Sequence, residues 1–242
     1  MSELKVPVKW DIKARFVSRP NRFLAMVEMG ENGRSVVKAH VHDPGRLKEV
    51  LFPGNEVLLR RADSRVRKTR WDVIAGKVGD TWVLVNSSFH RPISSATLMD
   101  IDIAPFGKLS SLRPEVKVGK SRLDYLAIDE NGQELYIEVK GCSLTRDGIA
   151  LFPDAPTTRG TRHIWELIEI ARTGKRAGIM VIVLGPKAEC FMPNFETDPD
   201  FARAFKEAVD AGVEIRPISF ELVEDHLLFR GEVPLCYGIS RS

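Results

Sequence analysis

Ser121-Arg122-Leu123-Asp124-Tyr125-Leu126-Ala127-Ile128 and, a short turn later, Leu135-Tyr136-Ile137-Glu138-Val139-Lys140 read as two apolar strands, each interrupted by an acid. Side chains alternate along a strand with period two, so Glu138 and Lys140 project from one face. Which groups meet Asp124 depends on the turn. A two-residue Asn131-Gly132 turn sets Asp124 opposite Val139, whereas a three-residue loop Glu130-Asn131-Gly132, with Gly132 left-handed, sets it opposite Glu138. Only the second register gathers Leu123, Tyr125, Ala127, Leu135, Ile137 and Val139 on one apolar face, and a slip of one residue would mix them with the charges. The three-residue loop is therefore expected.

One strand upstream, a two-residue Gly119-Lys120 turn places Glu115 opposite Asp124. Glu115, Asp124, Glu138 and Lys140 are then expected on one side of a three-stranded sheet. Crowded carboxylates raise one another's pKa and destabilise the fold unless a cation sits among them. Mg²⁺ (or Mn²⁺) is the expected ion, held by Asp124, Glu138 and the backbone carbonyl of Val139. Lys140 beside it would orient or deprotonate a water for attack on phosphorus and stabilise the charge that develops. A plainer reading stays open, in which Lys140 neutralises Glu138 and Asp124 in a cross-strand ion-pair ladder.

Outward from this hairpin, the chain divides. Residues 1–85 carry the rhythm of short strands: Ile12 to Phe16, Phe23 to Met29, Ser35 to Val41, Glu56 to Arg61, Trp71 to Val78 and Thr81 to Val85, with a turn at Glu31-Asn32-Gly33. A short helix is expected from Gly45 to Leu51, ended by Pro53-Gly54. That order is the order of a five-stranded OB-type β-barrel. Residues 86–112 lose the alternation and read as a connector with one or two helical turns. Residues 113–242 mix strands with helices at Thr161 to Thr173 and Pro199 to Ala211, the pattern of a mixed-sheet α/β domain. The chain is thus α/β overall.

Arg60, Arg61, Arg65, Arg67, Lys68 and Arg70 fall within eleven residues, in the loop after the expected barrel helix. OB barrels commonly grip oligonucleotides with this loop, and clustered cations displace counterions from a polyanion. A nucleic acid is the expected partner, although a charge run is also the ordinary signature of a solvated loop. The total charge of +3 is too small to add to the argument. No apolar run approaches the ~18–20 residues of a membrane-spanning helix and no signal peptide opens the chain, so a cytoplasmic protein without a membrane partner is expected. Cys142, Cys190 and Cys236 lie far apart and form no CxxC pair, which argues against both a zinc knuckle and a disulfide framework. No P-loop, dinucleotide fingerprint or nucleophile elbow is present.

Pro114-Glu115, Asp124 and Glu138-Val139-Lys140 resemble the PD-(D/E)xK nuclease core. The longer run Ser121 to Leu126, Tyr136 to Gly141 and Leu151-Phe152-Pro153-Asp154-Ala155-Pro156-Thr157 resembles the sugar fermentation stimulation protein family, as do His42 to Leu47, Pro193-Asn194 and Asp198-Pro199. The resemblance implies an OB barrel, a PD-(D/E)xK nuclease-like domain and DNA binding. It also draws Asp154, Thr157, Thr158, Arg159 and His163 toward the same cleft. One departure stands out: where much of the family carries a Pro-Asn pair in the connector, this chain reads Asn86-Ser87-Ser88-Phe89-His90-Arg91-Pro92. Two functions follow, a Mg²⁺-dependent phosphodiesterase that binds DNA, or a non-catalytic DNA-binding regulator with a vestigial nuclease core.

Overall fold

The structure, a computed structural model, describes residues 4–30, 35–62, 67–119 and 121–239. The expected turn at Glu31-Asn32-Gly33, as well as Lys120 and Arg65, therefore lie outside the described residues. A short β1 (Lys5–Pro7) precedes β2 (Ile12–Asn21), β3 (Leu24–Met29), β4 (Ser35–His40), β5 (Glu56–Arg61), β6 (Trp71–Val78) and β7 (Thr81–Leu84). Antiparallel pairing runs β4-β3-β2-β5-β6, and a parallel contact of Ala39 and His40 with Trp71 and Asp72 closes the ring. The result is the five-stranded OB-type barrel. Its alternating inward residues, among them Phe16, Val27, Ala39, Val57, Leu59 and Val73, are buried together. Each large aliphatic side chain so buried contributes ~1.5–3 kcal/mol.

The expected helix at Gly45 to Leu51 is absent. Leu47 takes φ of 51°, and the segment closes only single-turn bonds from Val50 and Leu51 back to the Leu47 carbonyl. Side chains do take the leading amides, Gly45 N–H by Asp43 at 2.7 Å and Leu47 N–H by Asp154 at 2.9 Å, but the left-handed Leu47 turns the backbone off the right-handed helical path.

After a 3₁₀ turn (Ser87–Phe89) come α1 (His90–Met99), β8 (Leu109–Val118), β9 (Ser121–Asp129), β10 (Glu134–Cys142), β11 (Leu144–Arg146), β12 (Ile149–Phe152) and α2 (Thr158–Arg172). Then follow β13 (Arg176–Val183), β14 (Cys190–Pro193), α3 (Pro199–Asp210), β15 (Glu214–Val223) and β16 (His226–Glu232). The sheet runs β7-β15-β13-β10-β9-β8, with β10, β13 and β15 mutually parallel. Strand β7 belongs to both halves, pairing with β6 on one side and with β15 through Trp82 and Leu222 on the other.

Strand β13 explains the layering. Its run Ala177 to Val183 is apolar on both faces, as a central parallel strand must be when both faces are covered. Ile179, Val181 and Val183 pack with Ile164, Leu167 and Phe205 of α2 and α3, while Met180 and Ile182 pack with Ile93 and Leu98 of α1. α2 begins at Thr158, three residues before the expected Thr161, because the Thr157 hydroxyl caps Gly160 N–H at 3.0 Å. A further correction concerns cysteine. Cys190 and Cys236 form a disulfide, and Cys142 is free and buried. The C-terminal segment folds back so that Leu235 pairs with Phe191, a proximity that separation along the chain conceals.

Candidate active site

The hairpin between β9 and β10 takes the three-residue loop: Asp129 N–H donates to the Gln133 carbonyl, and Gly132 has φ of 80°. Its register continues to Tyr125 opposite Ile137, which leaves Asp124 and Glu138 as the next facing pair. There the backbone ladder stops. Asp124 inserts its carboxylate between the strands and accepts the Val139 N–H at 2.7 Å. The strands part at this point, and Leu123, expected on the same apolar face as Tyr125, packs instead in the core under α2 and α3.

Glu138 is 3% exposed. Its Oε1 receives Lys140 Nζ at 2.5 Å and lies 2.5 Å from His163 Nδ1, which reaches it from α2. Its Oε2 is buried and accepts no hydrogen bond. Burial pushes the Glu138 carboxyl up, but the His163 hydrogen bond and the Lys140 ammonium outweigh it and hold the group below the usual carboxylate range. Asp124 is moved the other way, raised by burial and by the charge of Glu138. Two neighbouring acids with pKa values driven apart are the usual mark of a working site.

These groups line a cavity of about 670 Å³ between the barrel and the second sheet. Arg22, Asp43 and Gly45 come from the barrel side; Asp154, Thr157, Thr158 and Arg159 come from the loop leading into α2. The N-terminus of α2, with the positive end of its dipole, therefore opens onto the cavity. Asp154 ties the halves together, accepting Leu47 N–H across the junction. It packs so closely on Gly45 that a Cβ there would lie 2.6 Å from its carboxylate oxygens.

Glu115 does not join the site. It keeps its register opposite Asp124, between the pairs Pro114–Tyr125 and Val116–Leu123, but its backbone turns to φ of 56°. Its side chain is drawn out to Arg91 at 2.5 Å and Arg122 at 3.1 Å. The expected cluster of acids is reduced to Asp124 and Glu138, and among the described residues no group of His, Cys, Asp and Glu is arranged as a ready-made metal cage.

The basic loop divides in purpose. Arg67 is spent on Asp72, which it meets through both guanidinium nitrogens at 2.6 and 3.3 Å, and Arg60 approaches the same acid at 3.9 Å. Arg61, Lys68 and Arg70 are exposed.

One contributor escaped the sequence. His90, in the stretch that departs from the family pattern, is half-buried on the cavity wall beside Gly141; desolvation and the charge of Lys140 lower its pKa to about 4. His163, which the family resemblance draws toward the cleft, is the buried partner of Glu138. The signal available was its position one turn into α2 after the Phe152 to Thr157 phrase.

Barrel, mixed sheet and a buried carboxylate–lysine pair at their junction define an OB-barrel protein with a second, α/β domain. Family comparison agrees: the model described as "Sugar fermentation stimulation protein RE domain" matches residues 88–226, and that described as "SfsA N-terminal OB domain" matches residues 17–85. The chain belongs to the sugar fermentation stimulation protein family. It is 47% identical over 238 residues to the sugar fermentation stimulation protein homolog of Methanococcoides burtonii, covering 97% of this chain and 96% of that one. It is 43% identical to the homolog of Sulfurisphaera tokodaii, covering 92% and 89%. The solved structure of Pyrococcus furiosus SfsA in complex with Ca2+ is similar throughout, with a TM-score of 0.84, 29% identity, and coverage of 96% of this chain and 99% of that one.

Proposed function

We propose that the protein binds DNA and hydrolyses phosphodiester bonds in the junction cavity, with Mg²⁺ or Mn²⁺ as its ion. One observation carries the reading: Glu138 lines the cavity with Oε1 already satisfied and Oε2 buried without a hydrogen bond. An unpaired buried carboxylate oxygen is costly, and a cation ligated there removes the cost. Asp124, Glu138 and the Val139 carbonyl are the groups that would hold it, an oxygen set suited to a hard ion. The Pyrococcus furiosus relative, solved with Ca2+, supports the same kind of ion, since Ca²⁺ also takes oxygen ligands. When bound, such an ion acidifies a water and polarises a phosphoryl oxygen.

The chain's own groups supply the rest. Lys140 places an ammonium beside the reacting phosphorus, where it stabilises the negative charge gained by the non-bridging oxygens. Arg159 and Arg22 stand on the cavity wall as phosphate contacts, and the α2 N-terminus favours an anion in the same place. His163 occupies Oε1 of Glu138 and so leaves Oε2 as the oxygen available to an ion.

A second reading, a non-catalytic DNA-binding regulator, draws on the ladder in which the Lys140 ammonium already neutralises Glu138 and His163 hydrogen-bonds it. Incubation of single-stranded, duplex and branched DNA with the protein, in Mg²⁺, Mn²⁺ or chelator, separates the two. Cation-dependent cutting that disappears in Glu138→Ala and Asp124→Ala, with DNA binding kept, is expected; binding without cutting under every condition selects the regulator.

A further inference from the structure

The tip of the β2–β3 hairpin is Arg22-Phe23, flanked by the pair Asn21 and Leu24. Two-residue hairpin turns favour Asn, Asp and Gly, so an arginine and a phenylalanine there are not chosen for the turn itself. The Phe23 ring is 47% exposed. Its backbone, by contrast, is held firmly: Phe23 N–H donates to Asn21 Oδ1 at 2.9 Å, and its carbonyl accepts Val41 N–H at 3.1 Å. The Arg22 carbonyl accepts from Arg19 at 2.7 Å, and the same guanidinium binds the carbonyls of Asp43, Gly45 and Arg46. Arg19 thus locks the hairpin tip to the segment that Asp154 ties to the second domain.

The ring has company of one kind. His40 lies nearly parallel to it, with centroids 6.3 Å apart and planes at 18°, and the Arg22 guanidinium stands 5.7 Å from its centroid. Arg22 also lines the cavity that holds Asp124, Glu138 and Lys140. An aromatic face left in water on a rigid backbone, backed by an imidazole and flanked by a cation, suits a flat heterocycle joined to a phosphate.

We propose that Phe23 is a stacking platform for an unpaired nucleobase, and that the DNA strand entering the cavity is single-stranded at this point. A base arriving on Phe23 displaces Arg22 from the ring and leaves that guanidinium for the adjoining phosphate. This inference rests on the DNA-binding reading above and narrows its substrate to DNA with unpaired bases.

The test measures binding of fluorescent oligodeoxythymidylate, of the same length of abasic strand, and of a matched duplex, in chelator so that no cutting intervenes. Wild-type protein should prefer the oligodeoxythymidylate to the abasic strand, because both carry the charge and only one carries bases. Phe23→Ala should weaken oligodeoxythymidylate binding by about fivefold or more and erase the preference, leaving abasic and duplex binding as they were; Phe23→Trp should keep it. Preference for bases undiminished in Phe23→Ala, or an equal loss on all three probes, overturns the stacking role while DNA binding stands. No binding of any probe by the wild type overturns the DNA-binding reading itself.

Discussion

His163 Nδ1 and Glu138 Oε1 lie 2.5 Å apart, with side chains 3% and 5% exposed, so a helix and a strand meet through a buried imidazole–carboxylate contact. The imidazole's other nitrogen receives Arg159 Nε at 3.4 Å, which assigns the proton between ring and acid to Nδ1. Removing His163 strands part of a buried acid. His163→Ala should lower the unfolding free energy in urea by about 1–3 kcal/mol, and much less in a Glu138→Gln background where no charge is left to satisfy. Equal losses in both backgrounds would show that the imidazole matters only as packing.

Asp72 gives the fold a pH dependence of known sign. Burial opposes its ionisation, but His42 and Arg67 prevail and lower its pKa from 3.8 to about 2. A depressed folded pKa contributes stability that is complete above 3.8 and lost as pH falls through about 2. The difference is on the order of 2 kcal/mol. Wild type should therefore be more thermostable than Asp72→Asn at neutral pH, with the gap in melting temperature closing in acid below pH 3.8. A gap that stays constant down to pH 2 would assign the loss to packing.

What the sequence made legible was whatever depends on period and turn chemistry. Gly132 demanded a left-handed residue, the apolar alternation allowed one register, and together they put Asp124 across from Glu138. The β-barrel strands emerged from the same alternation. What stayed hidden depended on groups far apart in the chain. Glu115 held its register yet left the site because Arg91 and Arg122 compete for it from outside. The Gly45 to Leu51 segment has helix-like spacing, but Leu47 turns left-handed where Asp154, far along the chain, holds its amide. His90 and the Cys190–Cys236 pair are tertiary neighbours with no local signal at all.

That disulfide spans 46 residues and clamps the C-terminal segment to β14. By the chain-entropy argument it restrains the unfolded state, typically contributing ~2–4 kcal/mol. Reduction, or Cys236→Ser, should lower the melting temperature measured by calorimetry, and a reducing agent should have no effect on the serine variant. An unchanged melting temperature on reduction would remove the clamp from the account of stability.

Gly141 follows Lys140 and has no room for a methyl group while His90 keeps its place: a Cβ there would sit 2.3 Å from the His90 ring. Gly141→Ala should cost about 1–3 kcal/mol through overpacking and shift Lys140 with the strand. His90→Ala opens space and should restore much of the loss in the double variant. Measured by urea unfolding, additive losses instead of rescue would mean that the two residues do not share that space.

The basic loop separates charge that holds the fold from charge available to a partner. Arg67 is bonded to buried Asp72, whereas Lys68 and Arg70 are exposed. If DNA phosphates meet this loop, each contact contributes about 0.9 to the slope of log affinity against log salt on duplex DNA. Lys68→Ala with Arg70→Ala should flatten that slope by up to about 2 and leave the melting temperature unchanged. Arg67→Ala should do the reverse first, lowering stability by leaving buried Asp72 with only His42 at 3.3 Å and Arg60 at 3.9 Å as partners. Salt titrations of DNA affinity beside thermal unfolding of the same variants decide the matter; a slope unaltered by losing both exposed cations would move the DNA path off this loop and onto the hairpin and cavity alone.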